Sequence, residues 1–196
     1  MTDTRKVVLA SQSPRRRELL SDLISGFRII PDNSPETVDK SATPEETVKR
    51  LAVQKARNVS ACADSDEIVI AADTVVFIDG KILGKPADAA EAAEMLRTLS
   101  GRDHHVCTGI AVIDNAIGKS FCCFERTLVH FKHLTDSEIE RYIASGEPMD
   151  KAGAYGIQGK GALFVEWIKG DYFNVVGLPL CRLAQILKEE FDFDIY

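Results

Sequence analysis

The sequence lacks the cysteine pattern of a disulfide scaffold or of a zinc site. It contains five cysteines, an odd number, and no C-x-x-C pair. Small secreted domains are held together by paired cysteines, and structural zinc sites use cysteine pairs at short fixed spacings. The sequence therefore argues against both classes and predicts a protein of a reducing compartment.

Long apolar runs are also missing. No stretch approaches the roughly twenty apolar residues that a membrane-spanning helix needs. The N-terminal segment has neither the basic region nor the long apolar region of a secretory signal. We therefore expect a soluble, cytoplasmic protein without a membrane partner.

Positive charge is in deficit. Lys and Arg number 24 against 30 Asp and Glu, which gives a formal net charge of −6. Proteins that bind duplex nucleic acids neutralise many phosphates with a broad basic surface, so we predict no nucleic-acid partner. A single phosphorylated small molecule remains compatible with this charge.

Low-complexity linkers and internal repeats are absent from the 196 residues. With 45% hydrophobic and 28% charged residues, the chain is long enough to bury a sizeable core. We predict a single domain that spans residues 1–196.

Apolar runs and helix caps alternate along the chain, which predicts an α/β or α+β fold built on a mixed sheet. A strand at residues 7–10 precedes a helix with Ser13 as N-cap and Pro14 at its first position. The later predicted elements are a helix from a Thr43/Glu46 capping box to about residue 58, a strand at 67–72 with an extended continuation at 75–78, a hairpin turn at 79–80 leading into 81–83, a helix at 89–99, strands at 106–113 and 127–131, a helix from a Thr135/Glu138 capping box to about residue 146, and a helix at 180–190.

Three arginines occupy residues 15–17, in the first turn of the first predicted helix. Cations are unfavourable there because the helix N-terminus is already positive, so the cluster favours a bound anion such as a phosphate. The alternative is a solvated basic face balanced by Glu18 and Asp22.

Two further candidates for chemistry are Lys55 and Asp73. Lys55 lies on a helix with other cations, so a solvated basic face is a competing interpretation. Asp73 is predicted at the end of an apolar strand, where open α/β sheets place ligand chemistry. A buried carboxylate there needs a partner, although a plain cap or turn residue is the alternative.

A glycine-rich segment, residues 154–161, resembles a phosphate loop but lacks the G-x-x-x-x-G-K-S/T spacing. Its glycines predict a backbone that passes close to a ligand, which leaves Gln158 available to hydrogen-bond a base or amide edge. The four histidines show no metal-ligand pattern, and we expect structural roles for them.

Taken in order, six segments resemble the Maf family of nucleoside triphosphate pyrophosphatases over nearly the whole chain. They are LASQSPRR at 9–16, QKA at 54–56, ADTV at 72–75, GKP at 84–86, KAGAYGIQG at 151–159 and VGLP at 176–179. The resemblance implies an elongated mixed sheet flanked by helices, with a cleft between two lobes, as in inosine triphosphatases. It further implies hydrolysis of a nucleoside triphosphate to the monophosphate and pyrophosphate with a divalent cation (Mg, Mn or Co), and a homodimer.

The resemblance also implies roles for individual residues. Asp73 would be the general base and a metal ligand, and Glu36 would help to hold the metal. The sequence has Pro35 before Glu36 where the family usually has a second acidic residue. The residues that would line the phosphate site are Ser11, Ser13, Arg16, Lys55 and Lys85.

Three positions resemble the dTTP/UTP branch of the family. They are Arg15, Thr74 and Gln158, where the branch that acts on 7-methyl-GTP resembles Trp, Gln and Glu. A nucleotide sensor without hydrolysis and a regulator of cell division with a degenerate site are the alternatives outside catalysis. Asp73 favours catalysis, because pure binding needs no base, and Arg15 with Gln158 fits pyrimidines better than inosine.

Overall fold

The computed structural model describes residues 5–35 and 42–195. Glu36, predicted as a metal ligand, lies outside the described residues. The elements are β1 (Lys6–Leu9), α1 (Pro14–Ser21), β2 (Arg28–Ile29), α2 (Pro44–Ser60), β3 (Glu67–Ile78), β4 (Lys81–Leu83), α3 (Ala89–Leu99), β5 (Asp103–Asp114), β6 (Lys119–Phe131), α4 (Asp136–Ala144), β7 (Val165–Lys169), α5 (Tyr172–Val176) and α6 (Leu180–Phe191). Three short 3-10 turns lie between α4 and β7, at Glu147–Asp150, Ala152–Ala154 and Gly159–Phe164.

Within the described residues, seven strands form one sheet in the order β2-β1-β3-β5-β6-β7, with β4 paired to β3. Strand β1 pairs in parallel with β2 and β3. Strand β4 pairs antiparallel with β3, and β7 pairs antiparallel with β6. The predicted α/β fold with a mixed sheet is therefore confirmed.

The described residues divide into two compact units, the first formed by residues 5–35, 42–73, 108–125 and 177–195. In this unit, apolar side chains of α2 pack with buried residues of β1, β3 and β5. A Cβ added to Gly109 of β5 would lie 2.3 Å from the carbonyl oxygen of Val48 on α2. Glycine at this position thus permits close approach of α2, the helix that carries Lys55, to the sheet.

The second unit comprises residues 74–107 and 126–176. Its core includes apolar residues of α3 and an aromatic cluster around Phe131. His104 packs edge-on against Phe131, and its Nε2 lies 2.7 Å from the Tyr155 hydroxyl. This environment lowers the pKa of His104 to about 4, chiefly through burial. His104 is thus a neutral residue of the core.

Helix caps agree with the sequence more closely than strand lengths do. Both capping boxes are present, and α3 has the predicted bounds. Strand β6 begins at Lys119, eight residues before its predicted start, and its first half alternates between exposed and half-buried residues instead of entering the core. The short elements β2, β7 and α5 have no counterpart among the predictions. In the residues that the structure describes, no helix is both long and apolar enough to cross a membrane.

Candidate active site

Two serines organise the turn between β1 and α1. The Ser13 hydroxyl accepts a hydrogen bond from the Arg16 backbone N–H at 3.4 Å, which confirms Ser13 as the N-cap. The buried Ser11 accepts from the Ser13 backbone N–H at 3.1 Å. Ser11 and Ser13 therefore set the conformation in which the helix N-terminus begins.

The arginines of α1 differ in their surroundings. Arg17 is exposed, whereas Arg15 and Arg16 are half-buried. The Arg16 Nε donates to the carbonyl oxygen of Gly177 at 2.8 Å. This bond ties α1 to the segment before α6 and joins the first and last of the motifs recognised in the sequence. Arg16 is consequently fixed in orientation, unlike a residue of a solvated basic face.

Lys55 and Asp73 form an ion pair in the first unit. The Lys55 Nζ donates to Asp73 Oδ1, and the two side chains are only 15% and 10% exposed, respectively. A solvated basic face does not describe Lys55, because its ammonium is largely buried against a carboxylate. The partner that a buried Asp73 requires is therefore supplied, at least in part, by Lys55.

The predicted strand end at Asp73 is wrong, whereas the predicted extended continuation at 75–78 is confirmed as part of the same strand. Strand β3 continues through Asp73 to Ile78, because its second half is again apolar and pairs with β4. The pairing of β3 with β1 nevertheless extends only to Ile70, opposite Leu9. Asp73 thus lies beyond the paired part of β1, on the side where that strand leads into the serine turn.

A second carboxylate, Asp32, is held next to α2 by a hydrogen-bond network. It accepts from the Ser34 backbone N–H at 3.1 Å, from the Ser34 hydroxyl at 2.8 Å and from Asn58 at 3.3 Å. Burial raises the pKa of Asp32, but the bonds from Ser34 and Asn58 and the charge of Lys55 outweigh it, so the pKa lies below its usual value. Asp32 is thus held ionised in the same unit as Lys55.

Gln54 fastens this network from α2. Its amide nitrogen donates to the Ser34 hydroxyl at 3.2 Å and to the Pro35 carbonyl oxygen at 3.0 Å. The sequence shows Gln54 only as the neighbour of Lys55 in a matched motif, and residue types alone do not reveal that it reaches residues 34 and 35.

A divalent cation at this site would have to share its coordination with a substrate, because the described residues offer no closed set of ligands. Among residues 5–35 and 42–195, no group of three or more His, Cys, Asp or Glu could hold a metal by itself. Mg²⁺ characteristically keeps several waters and is bound by one or two carboxylates together with substrate phosphates. The carboxylate of Asp73 suits such a site, and Glu36 lies outside the described residues.

The other predicted site residues belong to the second unit. Thr74, half-buried, follows Asp73 on β3. Lys85 is exposed in the segment after β4, and Gln158 is half-buried in the turn before the last 3-10 turn. The structure brings Lys55 to Asp73 and places the serine turn beside Arg16, all within the first unit.

The sequence matches one known protein family over nearly its whole length. Residues 6–190 match the Maf-like protein family. The chain belongs to this family. A protein of Alkaliphilus oremlandii named dTTP/UTP pyrophosphatase is 52% identical over 97% of this chain and 99% of its own length. One of the same name from Pelotomaculum thermopropionicum is 52% identical over 94% of this chain and 96% of its own length.

Among solved structures, the fold is shared with a HAM1 protein from Coxiella burnetii. The TM-score is 0.53 at 18% identity, and the match covers 95% of this chain and 100% of that one. This likeness concerns the fold and agrees with the mixed sheet described above.

Proposed function

We propose that this Maf-family protein hydrolyses nucleoside triphosphates, preferentially dTTP and UTP, to the monophosphate and pyrophosphate. The observation that carries the proposal is the Lys55–Asp73 pair, a cation and a carboxylate buried together in one unit. The names of relatives about half identical over almost the full chain support the same substrates.

The chemistry requires water to attack the α-phosphorus while negative charge grows on the phosphate oxygens. Arg16, Lys55, Lys85 and the N-terminus of α1 would neutralise that charge. Asp73 would orient the attacking water and take its proton, a role that needs hydrogen-bond reach to the water. The Lys55 ammonium, which contacts Asp73, would restrain this carboxylate and would offset the negative charge of the phosphates.

A divalent cation belongs to the proposal. Asp73 and Glu36 would hold Mg²⁺, Mn²⁺ or Co²⁺, which polarises the phosphate and neutralises its charge when bound. Ser11 and Ser13 would contribute by shaping the turn that presents α1 to the phosphates.

Base choice is assigned to Arg15, Thr74 and Gln158. Uracil and thymine present an acceptor, a donor and an acceptor along one edge, and the Gln158 amide offers one donor group and one acceptor group. Arg15 would donate to a base carbonyl, and the small Thr74 would leave space for the ring.

The proposal also includes the compartment, the oligomeric state and the partners of the enzyme. The five cysteines, which all lie in described parts of the chain, form no disulfide, as is usual for proteins of a reducing compartment. We place the enzyme in the cytoplasm as a homodimer that binds neither nucleic acid nor membrane.

The direct test is a panel of dTTP, UTP, CTP, GTP and ITP with Mg²⁺, Mn²⁺ or Co²⁺, in which pyrophosphate and orthophosphate are both measured. We expect the highest kcat/KM for dTTP and UTP and pyrophosphate as the product. Nucleotide binding without turnover under every metal would instead identify a sensor or regulator and contradict the proposal.

A further inference from the structure

The turn that carries Gln158 is fastened by two side chains from outside it. Glu147 begins the 3-10 turn after α4, and Tyr142 lies on α4 itself. Both reach residues 156–161 in the second unit through hydrogen bonds to the backbone. We call this pair the Tyr142–Glu147 clamp.

Glu147 holds the chain on the C-terminal side of Gln158. Its Oε2 accepts from the Lys160 backbone N–H at 3.1 Å, and its Oε1 accepts from the Gly161 N–H at 3.2 Å. Hydrogen bonds to a carboxylate are stronger than those between neutral groups. Two consecutive amides are thereby fixed by one side chain.

Tyr142 holds the chain on the N-terminal side of Gln158. Its hydroxyl accepts from the Gly156 N–H at 3.3 Å and donates to Glu147 Oε1 at 3.0 Å. Burial raises the pKa of Tyr142 well above its usual range, so the hydroxyl stays protonated. The Tyr142 ring packs edge-on against the Phe164 ring, with the two ring centroids 4.8 Å apart. Gln158 therefore lies between two backbone positions that are held by Tyr142 and Glu147, and these two side chains are hydrogen-bonded to each other.

The glycines of this segment are explained by the clamp. Gly159 has φ +68°, and a Cβ added there would lie 3.0 Å from the Glu147 carboxylate oxygens. A Cβ on Gly161 would lie 2.3 Å from the Gly156 carbonyl oxygen and 2.8 Å from the Tyr142 hydroxyl. The close approach that the glycines permit is thus to the protein's own backbone and to the clamp.

Discrimination between uracil and cytosine depends on how firmly the backbone that carries Gln158 is held. The two edges differ by exchange of donors and acceptors, and a glutamine amide that turns over can pair with either. A held backbone fixes where the Gln158 side chain starts and so where its amide can meet the base, and misplacement of a binding group by about 1 Å is costly.

We propose that Tyr142 and Glu147 are positioning residues that hold Gln158 for recognition of the pyrimidine edge and so determine base selectivity. This inference rests on the proposed role of Gln158 in dTTP and UTP hydrolysis.

The test compares Glu147→Gln and Tyr142→Phe with the wild type. Glu147→Gln keeps the size but turns an amide donor toward backbone donors, and Tyr142→Phe keeps the ring packing while removing the hydroxyl. We expect the ratio of kcat/KM for UTP to that for CTP to fall about tenfold, mainly through KM for UTP. The matched control for Glu147→Gln is Glu140→Gln on α4, and the matched control for Tyr142→Phe is Tyr172→Phe. Both residues are exposed, and both control variants should leave the ratio unchanged.

Gln158→Ala gives the ratio of kcat/KM for UTP to that for CTP when the Gln158 amide is absent. If the clamp acts through Gln158, Glu147→Gln added to Gln158→Ala should lower the ratio no further. A Glu147→Gln enzyme with the wild-type ratio, while Gln158→Ala loses it, would overturn the inference and leave the proposed function intact. A wild type that does not prefer UTP would overturn the proposed function before any variant is made.

Amide hydrogen exchange gives a second readout on the folded variants. Glu147→Gln and Tyr142→Phe should speed exchange at residues 156–161, and the two controls should not. Unchanged exchange in both clamp variants would show that the turn does not depend on the clamp and would overturn the inference. Faster exchange with unchanged selectivity would assign the clamp to stability alone and would overturn it equally.

Discussion

At the residue scale, the proposed chemistry depends on the ion pair that Lys55 and Asp73 form in a largely buried position. A carboxylate removed from water is costly unless a cation or hydrogen bonds compensate it. Lys55 provides this compensation through its ion pair with Asp73. Because the two side chains are largely buried against each other, Lys55 and Asp73 differ in their surroundings from exposed residues of the same types.

Replacement of Asp73 by asparagine should nearly abolish turnover while nucleotide binding persists. Asparagine keeps the shape but cannot take a proton from water, and loss of a general base costs about 10²–10⁴-fold in rate. Single-turnover hydrolysis of UTP and a direct binding measurement check this together. Asp66→Asn, at an exposed carboxylate of the same unit, is the control, and a near-wild-type kcat for Asp73→Asn would remove Asp73 from the mechanism.

Replacement of Gln158 by glutamate should lower kcat/KM for dTTP and UTP about ten- to a hundredfold. The change removes the donor and puts a charge against a pyrimidine carbonyl, a mismatch that costs about 1–3 kcal/mol in a desolvated pocket. GTP hydrolysis should suffer less, because the N1–H and amino group of guanine can donate to the new carboxylate. Gln185→Glu, which adds the same charge at an exposed position, should have no effect, and equal losses for all bases would show that Gln158 does not read the base.

At the element scale, α2 is positioned by its cap at one end and by Gly109 beneath it. The helix begins at the Thr43–Glu46 capping box and presents Lys55 to β3. Its distance from the sheet depends on β5, where Gly109 allows contact with the Val48 backbone. The position of Lys55 is therefore linked to a glycine outside the predicted site.

Gly109→Ala should destabilise the protein by about 1–3 kcal/mol, as overpacking of a core does. The added methyl would lie within 2.3 Å of a carbonyl oxygen, so α2 must shift. Gly84→Ala is the control, because a Cβ there meets no heavy atom within 4 Å. Urea unfolding measures both, and equal stability of the two variants would mean that Gly109 does not set the position of α2.

The accuracy of the sequence predictions follows from the range of the interactions involved. Capping boxes are local, and so both were predicted at the correct residues. The first half of β6 contributes no buried residue, and its pairing to distant strands is not encoded locally. The Arg16 bond to Gly177, the anchoring of residues 34 and 35 by Gln54 and the Tyr142–Glu147 clamp also join residues apart in sequence, so matched motifs indicate that these residues matter without showing their contacts.

At the scale of the whole molecule, pH should affect folding through His104. Burial holds the pKa of His104 at about 4 in the folded protein, below the ordinary value of 6.5. The unfolded chain therefore binds more protons than the folded chain between these values, and stability falls as pH decreases from 6.5 toward 4. The contribution from this one residue is at most about 3 kcal/mol.

His104→Gln should flatten this part of the stability curve. We expect the free energy of unfolding, measured in urea at several pH values, to fall less steeply in the variant than in the wild type below pH 6.5. His133→Gln, at an exposed histidine, should keep the wild-type slope. An equally steep slope in His104→Gln would show that other groups carry the pH dependence.

In the proposed reaction, water attacks the α-phosphorus of a bound triphosphate. Hydrolysis of UTP in water labelled with oxygen-18, followed by mass spectrometry of both products, tests it without any mutation. Attack at the α-phosphorus places one labelled oxygen in UMP and leaves the pyrophosphate unlabelled. Label in pyrophosphate, or release of UDP with labelled orthophosphate, would contradict it.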